Sequence, residues 1–416
     1  MRLELNFLIW KVVCVMSNKK EFLNLGKQPI TNSFLTRKEF DNEYFYELSV
    51  VFDDETKLVS LKNKVEPETM FNETYAHRAS MSKTMRDSFK KVADSLKSEF
   101  KPKKVLEIGS NDGVFIRNFN MDDVVAIEPC KNLSDLTNDM GYKTYPVFWD
   151  AEAADMIVKN HGKMDVIFSA NTISHIENLS EVFKAVKMTL SDDGVFVFED
   201  PSLYSVLNNT SYDQFYDEHV HIFSVTALDN ILMKNGLKIF RVENLSVHGG
   251  SNRIYVSHLP VHTFFRFRPV EMSVSENLQK ECDFGLNEFN TYQEFAKRVE
   301  KSKNDLVELL VKLKNDGKRI MSIGATYKSA TIFNYCNIDS SLIEYITDTT
   351  PNKQGKYSPG MHIPIISPEE GFNESVDYAF LGAWNFSKEI MNNEQAYVNR
   401  GGKFITHVPE VKILEN

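Results

Sequence analysis

The chain has 416 residues, 42% hydrophobic and 25% charged, with a formal net charge of −10. That length exceeds one ordinary domain, and that composition builds soluble globular cores. The acidic excess is spread along the chain, which excludes a broad nucleic-acid-binding face, since that needs concentrated positive charge.

The four cysteines, Cys14, Cys130, Cys282 and Cys336, form no CxxC pair. Neither a disulfide framework nor a zinc ribbon is indicated, and a reducing cytoplasm fits. The early stretch LNFLIWKVVCVM is apolar for about a dozen residues, short of the roughly 20 that span a bilayer. No membrane segment is expected, and Met16 offers an alternative start, leaving residues 1–15 outside the mature chain.

Residues 20–70 mix the β-like runs YFYELSVVF and KLVSL with Pro and Asn punctuation, which reads as a small, irregular, β-rich module. From Ser80 to Phe100, Met81, Met85, Phe89, Val92 and Leu96 recur at helix spacing. Next come strands VLEIGS, VVAIEP, DVIFSAN and VFVFEDP, alternating with helical stretches such as LSEVFKAVKMTL and VTALDNILMKNG. That alternation predicts a parallel sheet covered by helices. RVENLSVHGGSNRIYVSH reads as an antiparallel hairpin, and a charged helical segment then leads away. A second α/β alternation comes after it, through RIMSIGAT, LIEYITD, DYAFLGAW and KFITHV. The expected units are 14–79, 80–262, a helical linker 263–300, and 301–416.

In an open parallel sheet, ligands bind beyond the carboxyl ends of the strands. Within VLEIGSNDGVF the first central strand ends at Gly109, Asn111 lies in the turn, and Gly113 is expected to open the next helix. Glycines let the backbone pass close under a ligand. The E-x-G-x-x-x-G spacing is neither G-x-G-x-x-G nor a P-loop. Two carboxylates, Glu107 and Asp112, flank it, so it repels pyrophosphate and suits a cation such as S-adenosylmethionine. One strand later Glu128 stands where a carboxylate takes ribose hydroxyls, and Asn171 and His175 come after the next strand. This order is the S-adenosylmethionine methyltransferase pattern; the alternative is a purely structural turn.

QFYDEHVHIFS is the densest polar-aromatic cluster, with Tyr216, Asp217, Glu218, His219 and His221. Histidine suits proton abstraction near neutrality, although a satisfied surface turn is the plainer explanation of any one histidine. HxH alone is a weak metal signal. In IGATYKSAT, Lys328, Ser329 and Thr331 open a helix where backbone amides and Lys328 suit an anion; a domain that only closes the cleft is the other reading. Lys353, Lys356 and His362 add positive charge, as would any solvated loop.

These segments resemble the nucleotide-sugar C-methyltransferases of deoxysugar biosynthesis. Tyr216, Glu218, His219, Phe223 and Ser224 match the family's Y-x-E-H-x-x-x-F-S, and His248, Gly249, Gly250, Ser251 and Arg253 match its H-G-G-S before a basic residue. The segment YAHRASMSKTM around Tyr75 and the run GATYKSATIFNYCNI also look like the family, and the likeness covers nearly all of 20–412. It implies a class I methyltransferase Rossmann-like central domain, a small β-rich amino-terminal module and a second, smaller Rossmann-like α/β domain. It implies S-adenosylmethionine held by Glu107, Gly109, Asn111, Asp112, Gly113, Glu128 and Asn171. It further implies a nucleotide-linked 4-keto sugar near His248, Gly249, Ser251, Arg253 and Lys328.

The implied chemistry is removal of a hydrogen beside the ketone by His219, oriented by Glu218. Tyr216, His175 and Tyr75 line the sugar site. The family's first module usually holds zinc through paired cysteines; VVFDDETKLVSL carries Asp and Glu instead, so zinc is doubtful. Asp217 replaces the family's usual histidine, and His77, Arg78 and Ala79 also depart from it. Methyl transfer to oxygen or nitrogen, or a scaffold with a decayed methyltransferase fold, are the rival readings. No nucleic-acid or membrane partner is expected, and the oligomeric state stays open.

Overall fold

The computed structural model describes residues 18–259, 268–373 and 375–414. Cys14, the expected module start at residue 14 and the expected boundary at 262–263 lie outside the described residues.

The amino-terminal unit is an antiparallel sheet of β1 (Lys19–Pro29), β2 (Phe45–Asp53) and β3 (Val59–Leu61). β2 alternates only at its start, where Tyr46 and Leu48 are buried and Phe45 and Glu47 exposed; from Leu48 to Phe52 it is buried on both faces. The Phe52 ring stacks on Tyr292 at 4.5 Å. Residues 18–71 contain neither cysteine nor histidine. Among the described residues no group of three or more His, Cys, Asp or Glu side chains is placed to hold a metal ion. The donor set does not fit a four-cysteine zinc site; burial holds this module together.

The central sheet contains β4 (Val105–Ile108), β5 (Val124–Ile127), β6 (Lys143–Tyr145), β7 (Met164–Ala170) and β8 (Leu190–Pro201), all parallel. β10 (Leu237–Leu245) and β11 (Ser251–His258) add the antiparallel hairpin expected from the sequence, giving the order β10-β11-β8-β7-β4-β5-β6. β4 is buried on both faces, as a parallel strand under helices must be, so its apolar run does not alternate. Between β4 and β5 the chain makes only a short 3₁₀ turn, Ile116–Asn118, in place of the helix expected after Gly113. The helix Lys83–Phe100 starts at Ser82, whose side chain accepts from Met85 N–H. It buries Met85, Phe89, Val92 and Leu96 on one stripe. A two-residue strand, β9 (His221–Ile222), leaves this domain and pairs with β3, completing the amino-terminal sheet.

The carboxy-terminal sheet contains β12 (Ile320–Ile323), β13 (Ile346–Thr347), β14 (Ile365–Ile366), β15 (Tyr378–Leu381), β16 (Lys403–Thr406) and β17 (Lys412–Leu414). Its order is β14-β13-β12-β15-β16-β17, parallel except for β17. The stretch expected as a helical linker over 263–300 contains a pair of helices, Met272–Phe284 and Phe289–Asn315. The second runs through position 300, so no boundary falls there. Its buried stripe Tyr292, Phe295, Val299, Leu306, Leu310 and Leu313 belongs to one core shared by the amino- and carboxy-terminal units. It is a spine, because both flanking sheets need an apolar face to close against. Among the described residues no helix is long and apolar enough to cross a membrane.

Candidate active site

The carboxyl ends of the central and carboxy-terminal parallel strands open into one cavity of about 860 Å³. This is the size of a site for a cofactor and a small substrate. Gly109 comes directly after β4 with φ +75°, and a Cβ there would fall 2.2 Å from Thr172 Oγ1. Only glycine meets both conditions. Glu107, inside β4, lines the cavity and is nearly fully buried, with Oε2 lacking any hydrogen-bond partner. Burial, and then the neighbouring Glu128, push its carboxyl well above the usual range. Glu128 accepts from Asn111 N–H at 2.7 Å and Cys130 N–H at 2.9 Å, and from the Cys130 thiol, which still leaves the carboxylate acceptor capacity. Asn111 accepts from Ala79 N–H at 2.9 Å and donates to His77 O at 3.2 Å. It thereby fastens the segment before the first long helix over the crevice. Asn171 donates to His248 Nε2 at 3.2 Å.

Two of the expected cofactor residues serve the backbone. Asp112 accepts from the Ser80 amide at 3.2 Å and from its hydroxyl, and it stands outside the cavity lining. Gly113, at φ +81°, lets the chain pass against Thr137 and is likewise outside the lining. Sequence reasoning missed Phe148, Trp149 and Asp150, which line the crevice after β6. That strand, only three residues long, is too short to read by pattern, but two adjacent aromatics before a helix-capping aspartate were a usable signal. The unpaired Glu107 oxygen, the Gly109 cradle and the Glu128 carboxylate fit a cationic ligand with ribose hydroxyls, as S-adenosylmethionine has.

The segment 214–219 forms the opposite wall. His219 Nδ1 lies 2.7 Å from the Gln214 carbonyl oxygen. A carbonyl only accepts, so Nδ1 carries the hydrogen and Nε2 presents its lone pair. That lone pair accepts from Tyr216 Oη at 2.8 Å. Burial, and then the neighbouring His175, hold the His219 imidazole well below its ordinary pKa, so it is neutral. Glu218 does not orient it. The Glu218 carboxyl accepts from Tyr75 Oη at 3.0 Å instead. The His175 ring lies 5.4 Å from that of His219 and stacks on Phe71 at 5.5 Å. Burial pushes the His175 imidazole down to about 3. His221 is tied between Ser60 Oγ (2.8 Å) and the Glu177 carbonyl (3.1 Å), which makes it a strut between units.

From the carboxy-terminal domain come Gly324, Thr326, Tyr327, Lys328, Asp348 and Lys353. Lys328 is buried at the start of the helix Tyr327–Cys336, 5.5 Å above the Trp384 ring. Burial lowers its ammonium to about 8 against the pull of Asp213. Tyr327, which the sequence did not single out, stacks on Tyr216 at 4.6 Å. Asp348 accepts from the backbone N–H of Ala325 and of Thr350, each at 2.8 Å. His248 lines the cavity and its carbonyl accepts from Gln214 Nε2 at 2.5 Å, while Gly249 abuts Trp384.

Ser251 and Arg253 lie in β11 and outside the lining. Arg253 donates to Glu199 and to Glu243, each at 2.7 Å, and is committed to bracing the sheet. His362 pairs with Glu43 at 2.7 Å and stacks on Phe40, away from the cavity.

Residues 75–242 match the family of methyltransferase domains and 246–409 match the C-methyltransferase C-terminal domain. Residues 12–71 match a zinc binding domain, although the described part of that stretch lacks the donors. The C-methyltransferase NovU of Streptomyces niveus is 31% identical over 97% of this chain and 96% of its own length. Among solved structures, a magnesium protoporphyrin IX methyltransferase from Synechocystis is similar over 42% of this chain and 79% of its own, with 10% identity and a TM-score of 0.31. An S-adenosylmethionine-dependent methyltransferase from Clostridium acetobutylicum covers 42% of this chain and 92% of its own, with 16% identity and a TM-score of 0.33. With all three units matched in order and NovU aligned almost end to end, this chain belongs to the C-methyltransferase family and is an S-adenosylmethionine-dependent enzyme.

Proposed function

We propose that the protein methylates the carbon beside the ketone of a nucleotide-linked 4-keto sugar, by way of an enolate, in the cytoplasm of a cell that builds deoxysugars. The observation that carries this reading is the neutral Tyr216–His219 pair, held in a fixed tautomer, in a cavity between two Rossmann-like crevices. The second crevice offers a glycine turn, a helix start with Lys328, and an aspartate after its second strand, a combination suited to a nucleotide.

Bound in the first crevice, S-adenosylmethionine supplies a methyl group on a positively charged sulfur. Glu128 has lone-pair capacity left for ribose hydroxyls, and a positive charge bound beside the buried Glu107 favours its ionised form, against the burial that otherwise keeps it protonated. A hydrogen beside a ketone is weakly acidic, and a positioned base removes it when donors meet the oxygen that takes up the charge. His219 Nε2 takes that hydrogen, directly or through the Tyr216 hydroxyl it already engages. Burial makes an isolated imidazolium costly, but beside an enolate the two charges pair in a low dielectric. Tyr75 and His175 bound the sugar side.

Mass spectrometry of labelled methyl transfer to a panel of 4-keto and 4-hydroxy nucleotide sugars tests this function. The expected result is label on carbon, with ketones only. Equal labelling of the hydroxy sugars would replace this reading with oxygen methylation.

A further inference from the structure

Asp217 and Glu218 are consecutive, both almost completely buried, and among the described residues neither has a salt-bridge partner. The groups facing Glu218 are the Tyr75, Tyr216 and Tyr327 hydroxyls and the Cys130 thiol. Asp217 faces Thr31, Tyr46 and Tyr216. The buried ammonium groups that line the cavity are turned elsewhere, Lys328 to Asp213 and the His248 carbonyl, Lys353 to Asp348 and the Ala325 carbonyl. Burial opposes ionisation of each, and a charge on Asp217 opposes a second one on Glu218.

Their hydrogen bonds decide which one keeps the proton. Asp217 Oδ1 accepts from the Thr31 amide at 3.2 Å and from its hydroxyl at 2.5 Å, two donors that favour a carboxylate. Thr31 belongs to the amino-terminal module, just past β1. Glu218 Oε2 accepts only from Tyr75, and Oε1 has no partner although Glu218 lines the cavity. Asp217 stands outside the lining. Burial raises both carboxyls; the Asp217 charge raises Glu218 further, while Thr31 pulls Asp217 back.

We propose that Asp217, docked on Thr31, is a positioning residue that keeps the proton on Glu218, so that Glu218 meets the substrate oxygen as a hydrogen-bond donor. This rests on the enolate reading for its target, an oxygen that gains negative charge. A neutral carboxylic acid in an apolar site is well suited to that task, since it donates without bringing a like charge. The Glu218 O–H bond is not broken; it shortens its contact as charge develops. The amino-terminal module thereby sets the protonation of a group in the cavity, without metal.

The test uses the full chain. Infrared spectroscopy of the ligand-free protein follows the carboxylic-acid carbonyl band, assigned by its loss in Glu218→Gln. The wild type is expected to show that band at neutral pH and to lose it only on the alkaline side. In Asp217→Asn the midpoint is expected at least one pH unit lower. The rate of methyl transfer should fall with rising pH through the same midpoint, shift with it in Asp217→Asn, and lose this limb in Glu218→Gln. That change should fall on kcat rather than KM.

No band in the wild type at neutral pH, or an unmoved midpoint in Asp217→Asn, overturns the proposal. If Asp217→Asn does not fold, Asp217→Ser takes its place, and the wild-type band still decides whether Glu218 holds the proton. The band needs no substrate, so a wrong sugar leaves it intact.

Discussion

Gly109 and Arg253 show how differently single residues disclose their roles. At Gly109 the positive φ and the 2.2 Å approach to Thr172 both forbid a side chain. Gly109→Ala is expected to cost about 1–3 kcal/mol of backbone strain, and to weaken S-adenosylmethionine binding at least tenfold by calorimetry. That role is legible because a glycine after an apolar strand is a local signal. Arg253 is not legible in this way. Its partner Glu199 is distant in sequence and is brought to it by β8, and Glu243 is its cross-strand neighbour on β10. Arg253→Ala leaves the buried Glu199 unpaired, which typically costs about 3–5 kcal/mol. Thermal melting should therefore register the change; a substrate contact would instead raise KM with no loss of stability. Glu218 misleads for a third reason: adjacency to His219 suggests contact, yet the backbone sends the two side chains to Tyr75 and Tyr216.

Secondary elements were readable in proportion to their length. The helix Lys83–Phe100 shows its period, and the strands β4, β5, β7 and β8 show as apolar runs. β6, β9, β14 and β17, of two or three residues, do not, and β9 matters most because it ties the loop 214–219 to the amino-terminal sheet. The stability of that sheet comes from its core. Phe52 is fully buried against Tyr292, so Phe52→Ala is expected to destabilise by about 3–5 kcal/mol. A chelator should leave the melting temperature of the wild type unchanged. A chelator-induced drop of several degrees would mean that a metal supports the module after all.

Over the whole molecule, the two α/β units could be read from their alternating strands, but not that they open onto one cavity. That convergence depends on contacts such as Tyr216 with Tyr327 and Asp213 with Trp384, which no local pattern encodes. Tyr327→Ala is expected to lower kcat/KM for the sugar at least tenfold, with Tyr327→Phe near wild type, in steady-state kinetics. An Ala variant at wild-type efficiency would show that the carboxy-terminal domain does not shape the catalytic wall.

The most direct measurement is hydrogen exchange at the carbon beside the ketone, by NMR in D₂O, with S-adenosylhomocysteine in place of the methyl donor. The wild type should exchange that hydrogen for deuterium, and His219→Asn should do so at least about a hundredfold more slowly. Exchange at the wild-type rate in His219→Asn, or methylation by the wild type of a substrate whose hydrogen never exchanges, would contradict a carbanion made by His219.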